Sequence, residues 1–275
     1  MAKILDGKKL REKLSNSLQV KIEKLEKSPK LIIIQIGDSK ESDLYIKEKK
    51  DYGERVGVTV EHRKYPVDVS EELLLSEIDE FNFDDTVDGI IVQLPVPVHL
   101  NKNRIIDKIN PEKDVDGLTS ENISFLVQNK EKVLPATSKG IITLLENYGI
   151  EIKSKKAVVV GGSFLVGRPT ALALLNRGAT VTVCHADTKG LEKETRQADI
   201  LITATGKSGL ITSAHVSPEQ VVVDVGINFK QEGGVRGDVN YREVQDLVGA
   251  ITPVPGGVGP MTVFSLFDNL FVVTE

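Results

Sequence analysis

The chain has 275 residues, of which 40% are hydrophobic and 27% charged, and its formal net charge is −5. This balance is typical of a soluble globular protein, and the length suffices for two domains or one large domain. The negative charge argues against a nucleic-acid partner held by a basic surface. No apolar run approaches membrane-spanning length, and the charged N-terminal stretch lacks the apolar core of a signal peptide, so we expect a cytoplasmic protein.

Cysteine and histidine are sparse. The single cysteine, Cys184, cannot form an intrachain disulfide, so nothing in the sequence points to an oxidising compartment. The four histidines do not pair with cysteine or with one another at ligand spacing, and the sequence therefore predicts no metal site.

The first part of the chain alternates predicted helices with predicted strands. A helical hydrophobic period covers residues 8–27, and the apolar run 31–38 predicts a buried strand. Ser42 is the predicted N-cap of a helix that ends at Gly57. The next predicted elements are a strand over 58–65, a helix over 71–81 and a strand over 87–93.

A turn-rich segment, residues 110–117, precedes the second part of the chain. The elements predicted there are a helix over 139–148, strands over 157–160, 180–184, 200–203, 221–225 and near 250–252, and a helix from Thr262. Because strands and helices alternate, the predicted fold class is α/β with parallel strands covered on both faces. We assign residues 1–138, completed by a helix over 262–275, to an N-terminal lobe and residues 139–261 to a second, Rossmann-type lobe.

The stretch 155–169, KKAVVVGGSFLVGRP, is the clearest indication of a nucleotide site. It predicts a strand, a glycine turn and a helix, an arrangement whose backbone N–H groups bind a pyrophosphate. The fingerprint is imperfect, because Ser163 stands where a second glycine is usual and Gly167 falls one place late. An ordinary strand-to-helix turn is the alternative interpretation.

Two further glycine-containing segments follow predicted strands. Thr205 and Gly206 lie after one strand, and residues 226–228 lie after the next. Ligands of open α/β sheets bind beyond the carboxyl ends of the strands, so we include Thr205 and Gly206 among the cofactor-binding candidates. The loop 253–262, PVPGGVGPMT, offers close backbone approach to a ligand, although a plain linker has a similar composition.

Four polar residues of the first part are candidates for chemistry. Tyr45 and Lys49 are four residues apart on a predicted helix and share one face, where they act together on a ligand or form a surface pair. Gln93 ends a buried strand, so its amide is either satisfied by backbone or faces a ligand. Asp116 lies in an Asp-Gly turn that needs no function to explain it.

Six sequence blocks occur in order along the chain. They are Ser42-x-x-Tyr45-x-x-x-Lys49, Asp88-Gly-Ile-Ile-Val-Gln93-Leu-Pro95, Pro111-x-Lys113-Asp-Val-Asp116-Gly117, Gly161-x-Ser163-x-x-Val166-Gly167-x-Pro169, Ala179-Thr-Val-Thr-x-Cys184-His185 and Pro255-Gly-Gly-Val-Gly-Pro-Met-Thr262. Together they resemble the bifunctional methylenetetrahydrofolate dehydrogenase/cyclohydrolase family. The resemblance covers nearly the whole chain.

The resemblance implies an enzyme that oxidises 5,10-methylenetetrahydrofolate with a nicotinamide dinucleotide and hydrolyses the methenyl product to 10-formyltetrahydrofolate. It implies folate bound in a cleft between the lobes and a homodimer formed through the Rossmann lobes. The residues implied on the folate side are Tyr45, Lys49, Gln93 and Asp116, with Pro255, Gly256 and Gly257 nearby. The residues implied at the dinucleotide are Gly161, Gly162, Ser163, Ala186 and Ile227.

Two positions depart from the family at the cofactor. The family usually has arginine at position 162 and serine at position 186, which hold the 2′-phosphate of NADP, whereas this chain has Gly162 and Ala186. Asp187 stands where an acidic group would bind a ribose 2′-hydroxyl and repel a phosphate. We predict weaker NADP binding than in the family and use of NAD, unless Arg168 or Lys189 compensates.

The implied chemistry suggests different demands on Lys49 in the two steps. Hydride transfer moves no proton, whereas hydrolysis needs a base, and lysine is a poor base at its reference pKa of about 10.4. Burial and a cationic ligand both favour neutral lysine, so we hypothesise that Lys49 serves hydrolysis more than hydride transfer. The alternatives are a dehydrogenase-only enzyme, a non-catalytic folate- or nucleotide-binding module, and a shikimate-type dehydrogenase, which would not explain KDVDG together with PGGVGPMT.

Overall fold

The structure is a computed structural model that describes residues 2–229 and 233–275. The chain divides into two compact units, each made of two segments. Unit 1 comprises Met1–Glu12 and Thr137–Thr262, and unit 2 comprises Lys13–Ala136 and Val263–Glu275.

Strands and helices alternate along the described residues. The strands are β1 (Lys3–Ile4), β2 (Lys30–Ile36), β3 (Thr59–Tyr65), β4 (Gly89–Val92), β5 (Lys156–Val160), β6 (Thr180–Cys184), β7 (Ile200–Thr203), β8 (Val221–Asp224), β9 (Asn228–Phe229), β10 (Val235–Arg236) and β11 (Ala250–Ile251). The helices are α1 (Gly7–Ile22), α2 (Lys40–Val56), α3 (Glu71–Phe83), α4 (Lys102–Asp107), α5 (Ser120–Val127), α6 (Ala136–Asn147), α7 (Gly167–Asn176), α8 (Leu191–Arg196), α9 (Tyr241–Val244) and α10 (Val258–Thr274). Among the residues that the structure describes, no helix is long and apolar enough to cross a membrane.

Unit 1 is built on a six-stranded sheet in the order β1-β11-β8-β7-β5-β6, and all its strand pairs are parallel. Strands β7 and β8 are buried along their whole length, as expected for a parallel sheet whose two faces are covered. Strand β5 lies between β6 and β7, so the next two strands of the chain lie on opposite sides of β5 in the sheet. The loops after β5 and β7 are therefore neighbours at the carboxyl edge, where open α/β sheets bind ligands.

Unit 2 contains a three-stranded parallel sheet in the order β3-β2-β4. Strand β4 is fully buried, and β2 is buried in six of its seven positions. One face packs against α3 and α4, and burial of each large apolar side chain there contributes roughly 1.5–3 kcal/mol. Helix α10 adds the fully buried Phe267, whose ring meets that of Tyr52 edge-on at 5.3 Å.

The predicted α/β class with parallel strands is confirmed, but element ends differ in places. Ser39, not Ser42, caps α2, since its side chain accepts a hydrogen bond from the Ser42 backbone N–H at 3.2 Å. Helix α2 ends at Gly57 with a positive φ of 84°, as the sequence predicts. Helix α10 begins four residues before the predicted Thr262, because Pro260 is tolerated in a first helical turn, where N–H groups lack helical partners.

The N-terminus differs from the lobe assignment made from the sequence. The sequence predicts one lobe over residues 1–138, whereas Met1–Glu12 groups with unit 1. The physical reason is strand β1, which pairs in parallel with β11 and so extends the six-stranded sheet. Leu5, directly after β1, is fully buried and anchors the segment in the core.

Candidate active site

A lysine and a glutamine come together in unit 2. Helix α2 carries Tyr45 and Lys49 one turn apart, and Gln93 directly follows β4. The Lys49 Nζ donates to Gln93 Oε1 at 2.8 Å, and Gln93 Nε2 donates to the Leu94 carbonyl at 3.0 Å. The backbone therefore fixes the Gln93 amide in the orientation that presents its oxygen to the amine.

The ionisable groups at this place are shifted toward their neutral forms. Burial lowers the pKa of the Lys49 ammonium, while the negative charge of Asp116 opposes the shift. Burial raises the pKa of Asp116 to about 6, and the positive charge of Lys49 opposes that shift. Burial also raises the pKa of the half-buried Tyr45 phenol. Shifts of this kind, produced by burial and a specific partner, are typical of functional sites.

The turn that carries Asp116 is organised by a second carboxylate. The buried Asp114 accepts the Gly117 backbone N–H through Oδ1 at 2.9 Å, and the Thr119 backbone N–H through Oδ2 at 2.8 Å. Gly117 has a φ of 70°, and a Cβ there would lie 2.9 Å from the Pro135 nitrogen. The Asp-Gly turn thus has the structural role that the sequence allowed, and Asp114 rather than Asp116 performs it.

Asn269 on α10 fixes the same turn from another part of the chain. Its fully buried Nδ2 donates to the carbonyls of Val115 and Leu134, both at 2.9 Å. Sequence reasoning missed this residue, because its partners lie 154 and 135 residues away. An asparagine within an apolar helix was the signal available.

In unit 1, the turn between β5 and α7 requires glycine at two positions. Gly161 has a φ of 116°, and a Cβ there would lie 2.3 Å from the Ala204 carbonyl oxygen. A Cβ on Gly167 would lie 1.7 Å from the Gly161 carbonyl oxygen. The glycine that falls late in the sequence fingerprint therefore allows the first turn of α7 to pack onto the glycine loop. Side chains at these two positions would fill the space at the turn. A turn of bare backbone fits the close approach of a dinucleotide.

The two residues after Gly161 have different environments. At Gly162, a Cβ would meet only Val183 Cγ1, at 4.0 Å, so packing does not demand glycine there. Ser163 Oγ accepts the backbone N–H groups of Val166 and Gly167, both at 3.3 Å, and so satisfies donors at the start of α7. Serine at the second glycine position of the fingerprint thus stabilises the turn that leads into α7, whose N-cap residue is Val166.

The other cofactor-side candidates lie in loops of unit 1. Ala186, in the loop after β6, is exposed, and the neighbouring Asp187 carboxylate is 94% exposed. Thr205 and Gly206 follow β7, and both direct backbone N–H groups to one buried carboxylate, that of Asp238. Ile227, beyond β8, leaves 43% of its surface exposed.

The folate-side candidates are divided between the units. Tyr45, Lys49, Gln93 and Asp116 belong to unit 2, whereas Pro255, Gly256 and Gly257 belong to unit 1. The Gly256 carbonyl accepts the Lys8 backbone N–H at 2.9 Å, so this loop is held by the N-terminal segment. Among the described residues, no group of three or more His, Cys, Asp or Glu is placed to hold a metal ion.

An open parallel sheet with a glycine turn after β5, joined in one chain to a partly buried site of a lysine and a carboxylate, defines a two-domain α/β dinucleotide-binding enzyme. The protein-family model for the tetrahydrofolate dehydrogenase/cyclohydrolase catalytic domain matches residues 5–116. The model of the NAD(P)-binding domain of the same family matches residues 135–275. The chain belongs to the tetrahydrofolate dehydrogenase/cyclohydrolase family.

Individual relatives agree with this membership. The bifunctional protein FolD of Aquifex aeolicus is 46% identical over 274 residues, which cover 98% of this chain and 94% of the relative. The crystal structure of the Campylobacter jejuni FolD methylenetetrahydrofolate dehydrogenase/cyclohydrolase has a TM-score of 0.97 at 41% identity, covering 100% and 99% of the two chains. The Trypanosoma brucei FolD structure, in complex with NADP and an inhibitor, has a TM-score of 0.95 at 32% identity and covers 99% and 97%. The resemblance drawn from the sequence is confirmed.

Proposed function

We propose that the chain oxidises 5,10-methylenetetrahydrofolate to 5,10-methenyltetrahydrofolate with a nicotinamide dinucleotide, and then hydrolyses the product to 10-formyltetrahydrofolate. Family membership and the bifunctional relatives support this proposal. The observation that carries it is the Lys49–Gln93 hydrogen bond of 2.8 Å, beside a carboxylate whose pKa is raised. A dehydrogenase-only enzyme or a non-catalytic binding module would not need a lysine held toward its neutral form.

The first step places its demands on positioning. The nicotinamide ring, when bound, supplies the acceptor for the hydride of the folate methylene group. No proton moves in this step, so the protein contributes mainly by holding the substrate in a reactive geometry. Asp116, on a turn fixed by Asp114 and Asn269, accepts hydrogen bonds from the adjacent donor groups of the amino-substituted pterin ring of the folate.

The second step requires a base. Burial lowers the pKa of Lys49, and the cationic methenyl substrate would lower it further, so the amine becomes available to take a proton from the attacking water. A neutral amine that donates one N–H to Gln93 Oε1 keeps its lone pair for the water. The Tyr45 phenol, with its raised pKa, stays protonated and orients the amine or the water.

Substitution of Lys49 by methionine tests these roles. We expect hydrolysis of methenyltetrahydrofolate to fall by about 10²–10⁴-fold, the usual contribution of a general base, and reduction of the dinucleotide to fall far less. Lys50→Met is the matched control, since Lys50 is the next residue of α2 and is exposed. Equal losses of both activities in Lys49→Met would reject the assignment of Lys49 to hydrolysis.

The cofactor preference is a separate part of the proposal: we propose that the chain uses NAD and binds NADP more weakly than its family does. The open space at Gly162 and the exposed Ala186 offer a 2′-phosphate no charged partner of their own. The exposed Asp187 carboxylate nearby disfavours a phosphate and suits a ribose hydroxyl.

The homodimer implied by the sequence resemblance also stays a proposal. Strand β6 ends the six-stranded sheet, and within the described residues its outer edge pairs with no other strand. Val183 on this strand is 40% exposed, and an uncovered strand edge with apolar side chains favours association. Light scattering coupled to size-exclusion chromatography measures the mass, and a monomer at micromolar concentration would contradict the proposal.

A further inference from the structure

Asp238 of unit 1 lies at the centre of a hydrogen-bond network that neither hydride transfer nor hydrolysis uses. Its carboxylate is fully buried. One oxygen, Oδ2, accepts four donors: the hydroxyls of Thr203 and Thr205 at 3.1 and 2.9 Å, and the backbone N–H groups of Thr205 and Gly206 at 2.6 and 3.3 Å. The loop after β7 is thus wrapped around this single atom.

The other oxygen of Asp238 reaches a second loop. Oδ1 accepts the Asn228 side-chain N–H at 3.1 Å, and Asn228 follows Ile227 in the segment after β8. A Cβ on Gly226 would lie 2.2 Å from the same Oδ1, so glycine is required for the loop to pass the carboxylate. One side chain therefore ties together two of the loops that carry the cofactor-binding candidates.

A second buried carboxylate holds Asp238 in place. Asp224, at the end of β8, accepts the backbone N–H groups of Asp238 and Gly226 through Oδ1, at 3.0 and 2.9 Å. Its Oδ2 accepts the Val239 backbone N–H at 2.9 Å. Two buried carboxylates side by side are costly, and apolar side chains would fill the same volume at lower cost. A protein retains such a pair of buried carboxylates where the pair fixes a particular loop geometry.

We propose that Asp238 is a positioning residue for the dinucleotide: its carboxylate sets the loops at Thr205–Gly206 and at Ile227 in the conformation that binds the cofactor. This inference rests on the proposed function, because it takes these loops as the cofactor edge. Asp238 itself is buried behind the loops and acts through Thr205, Gly206 and Asn228. Asparagine at this position would replace one of the two carboxylate oxygens with an N–H₂ group. Only one acceptor atom would then remain for the five donors, so part of the network would be released.

The test compares Asp238→Asn with Thr203→Val in the full-length chain. Thr203→Val removes one hydroxyl donor from the same carboxylate but leaves both backbone bonds, so it is the matched control. We expect the Kd for the dinucleotide, measured by calorimetry, to rise about 10-fold or more in Asp238→Asn and less than about 3-fold in the control, since bonds to a buried charge are the strong ones. Hydrolysis of methenyltetrahydrofolate, which uses no dinucleotide, should stay within about 2-fold of wild type.

Hydrogen exchange supplies a readout that does not depend on binding or turnover. Backbone amides of residues 204–206 should exchange faster in Asp238→Asn, while those of α2 should not change. If Asp238→Asn does not fold, Asn228→Ala should still raise the Kd by about 3-fold or more, because it removes the donor to Asp238 Oδ1, together with the bond of the same amide to the Arg236 carbonyl, and leaves the four bonds to Oδ2 in place.

The outcomes separate the inference from the proposed function. A folded Asp238→Asn variant with the wild-type Kd would overturn the inference alone, as would an unfolded Asp238→Asn together with an unaffected Asn228→Ala. If the wild-type chain bound no dinucleotide, the proposed function and the positioning role toward the cofactor would both be wrong, whatever hydrogen exchange showed about the loop.

Discussion

Arginine in place of Gly162 should shift the cofactor preference toward NADP. The site has room, because a Cβ at this position meets only Val183 Cγ1 at 4.0 Å, and the backbone there is not left-handed. A guanidinium paired with a 2′-phosphate forms charge-assisted bonds worth about 1.5–3 kcal/mol. Because Gly162 is partly exposed, screening favours the lower half of that range, about 1.5–2 kcal/mol.

A gain of that size corresponds to a rise of about 10- to 30-fold in kcat/KM for NADP, since each 1.4 kcal/mol is about tenfold. The value for NAD should change by less than about 2-fold, because NAD has no 2′-phosphate for the arginine to bind. The assay is initial-rate reduction of NAD and of NADP with methylenetetrahydrofolate at fixed ionic strength. The gain for NADP should shrink in high salt, as a partly exposed ion pair does.

Gly162→Gln is the control, because glutamine extends into the same space without a charge. If the glutamine and arginine variants gained equally, the electrostatic reasoning would be refuted. If the wild-type chain already preferred NADP strongly, the interpretation of Gly162 and Ala186 would be wrong, and cationic residues elsewhere in the loop would have to supply the phosphate site.

Three further predictions follow from buried groups and from the glycine turn. The pKa of Asp224 is about 6 in the folded protein, raised mainly by burial, against about 3.9 unfolded, so its stabilising contribution is complete below about pH 4 and lost as the pH rises through 6. Asp224 should therefore account for at most about 3 kcal/mol of the decline in the urea-derived free energy of unfolding between pH 4 and 7. Asp224→Asn should remove that part and leave the part due to Asp116, and equal declines in both proteins would count against this. Asn269→Leu leaves two buried carbonyls without donors and should lower the free energy of unfolding by roughly 2–5 kcal/mol, whereas an unchanged Tm would show that the two bonds contribute little. Gly167→Ala should abolish dinucleotide binding in calorimetry because its Cβ would lie 1.7 Å from a carbonyl oxygen, while Gly259→Ala, with nothing within 4 Å, should bind as wild type does.

The sequence predicts well those features that are encoded locally. The apolar runs of β2 and β5 and the glycine at the end of α2 identify their elements, because burial and backbone conformation act within a few residues. The spacing of Tyr45 and Lys49 places them on one helix face, and the strand that ends at Gln93 brings the glutamine to the lysine. The hydrogen bond of 2.8 Å joins two elements that the sequence predicts, but the sequence leaves open whether Lys49 lies on the surface and whether Gln93 contacts backbone or a ligand.

Features that depend on distant partners were not predictable in the same way. Strand β1 has two residues and lies at the start of a helical pattern, and only its pairing with β11 makes it a strand. Asp238 follows a glycine in a segment that indicates an ordinary turn, and its four donors to Oδ2 lie 32 to 35 residues earlier. A buried carboxylate cannot be distinguished from a solvated turn residue until the donors around it are known.

The division of the units along the chain has a consequence for biosynthesis. Unit 2 is interrupted by Thr137–Thr262, and the α10 segment that brings Phe267 and Asn269 is translated only afterwards. At about 5–20 residues per second, the ribosome needs roughly 6–25 s to make the intervening segment. During that time the nascent Lys13–Ala136 segment exposes the apolar surface that Phe267 later covers, so we expect it to be a substrate for ribosome-associated chaperones. For the same reason, expression of residues 1–136 and 137–275 as two separate polypeptides should yield two aggregation-prone fragments rather than two separate enzymes.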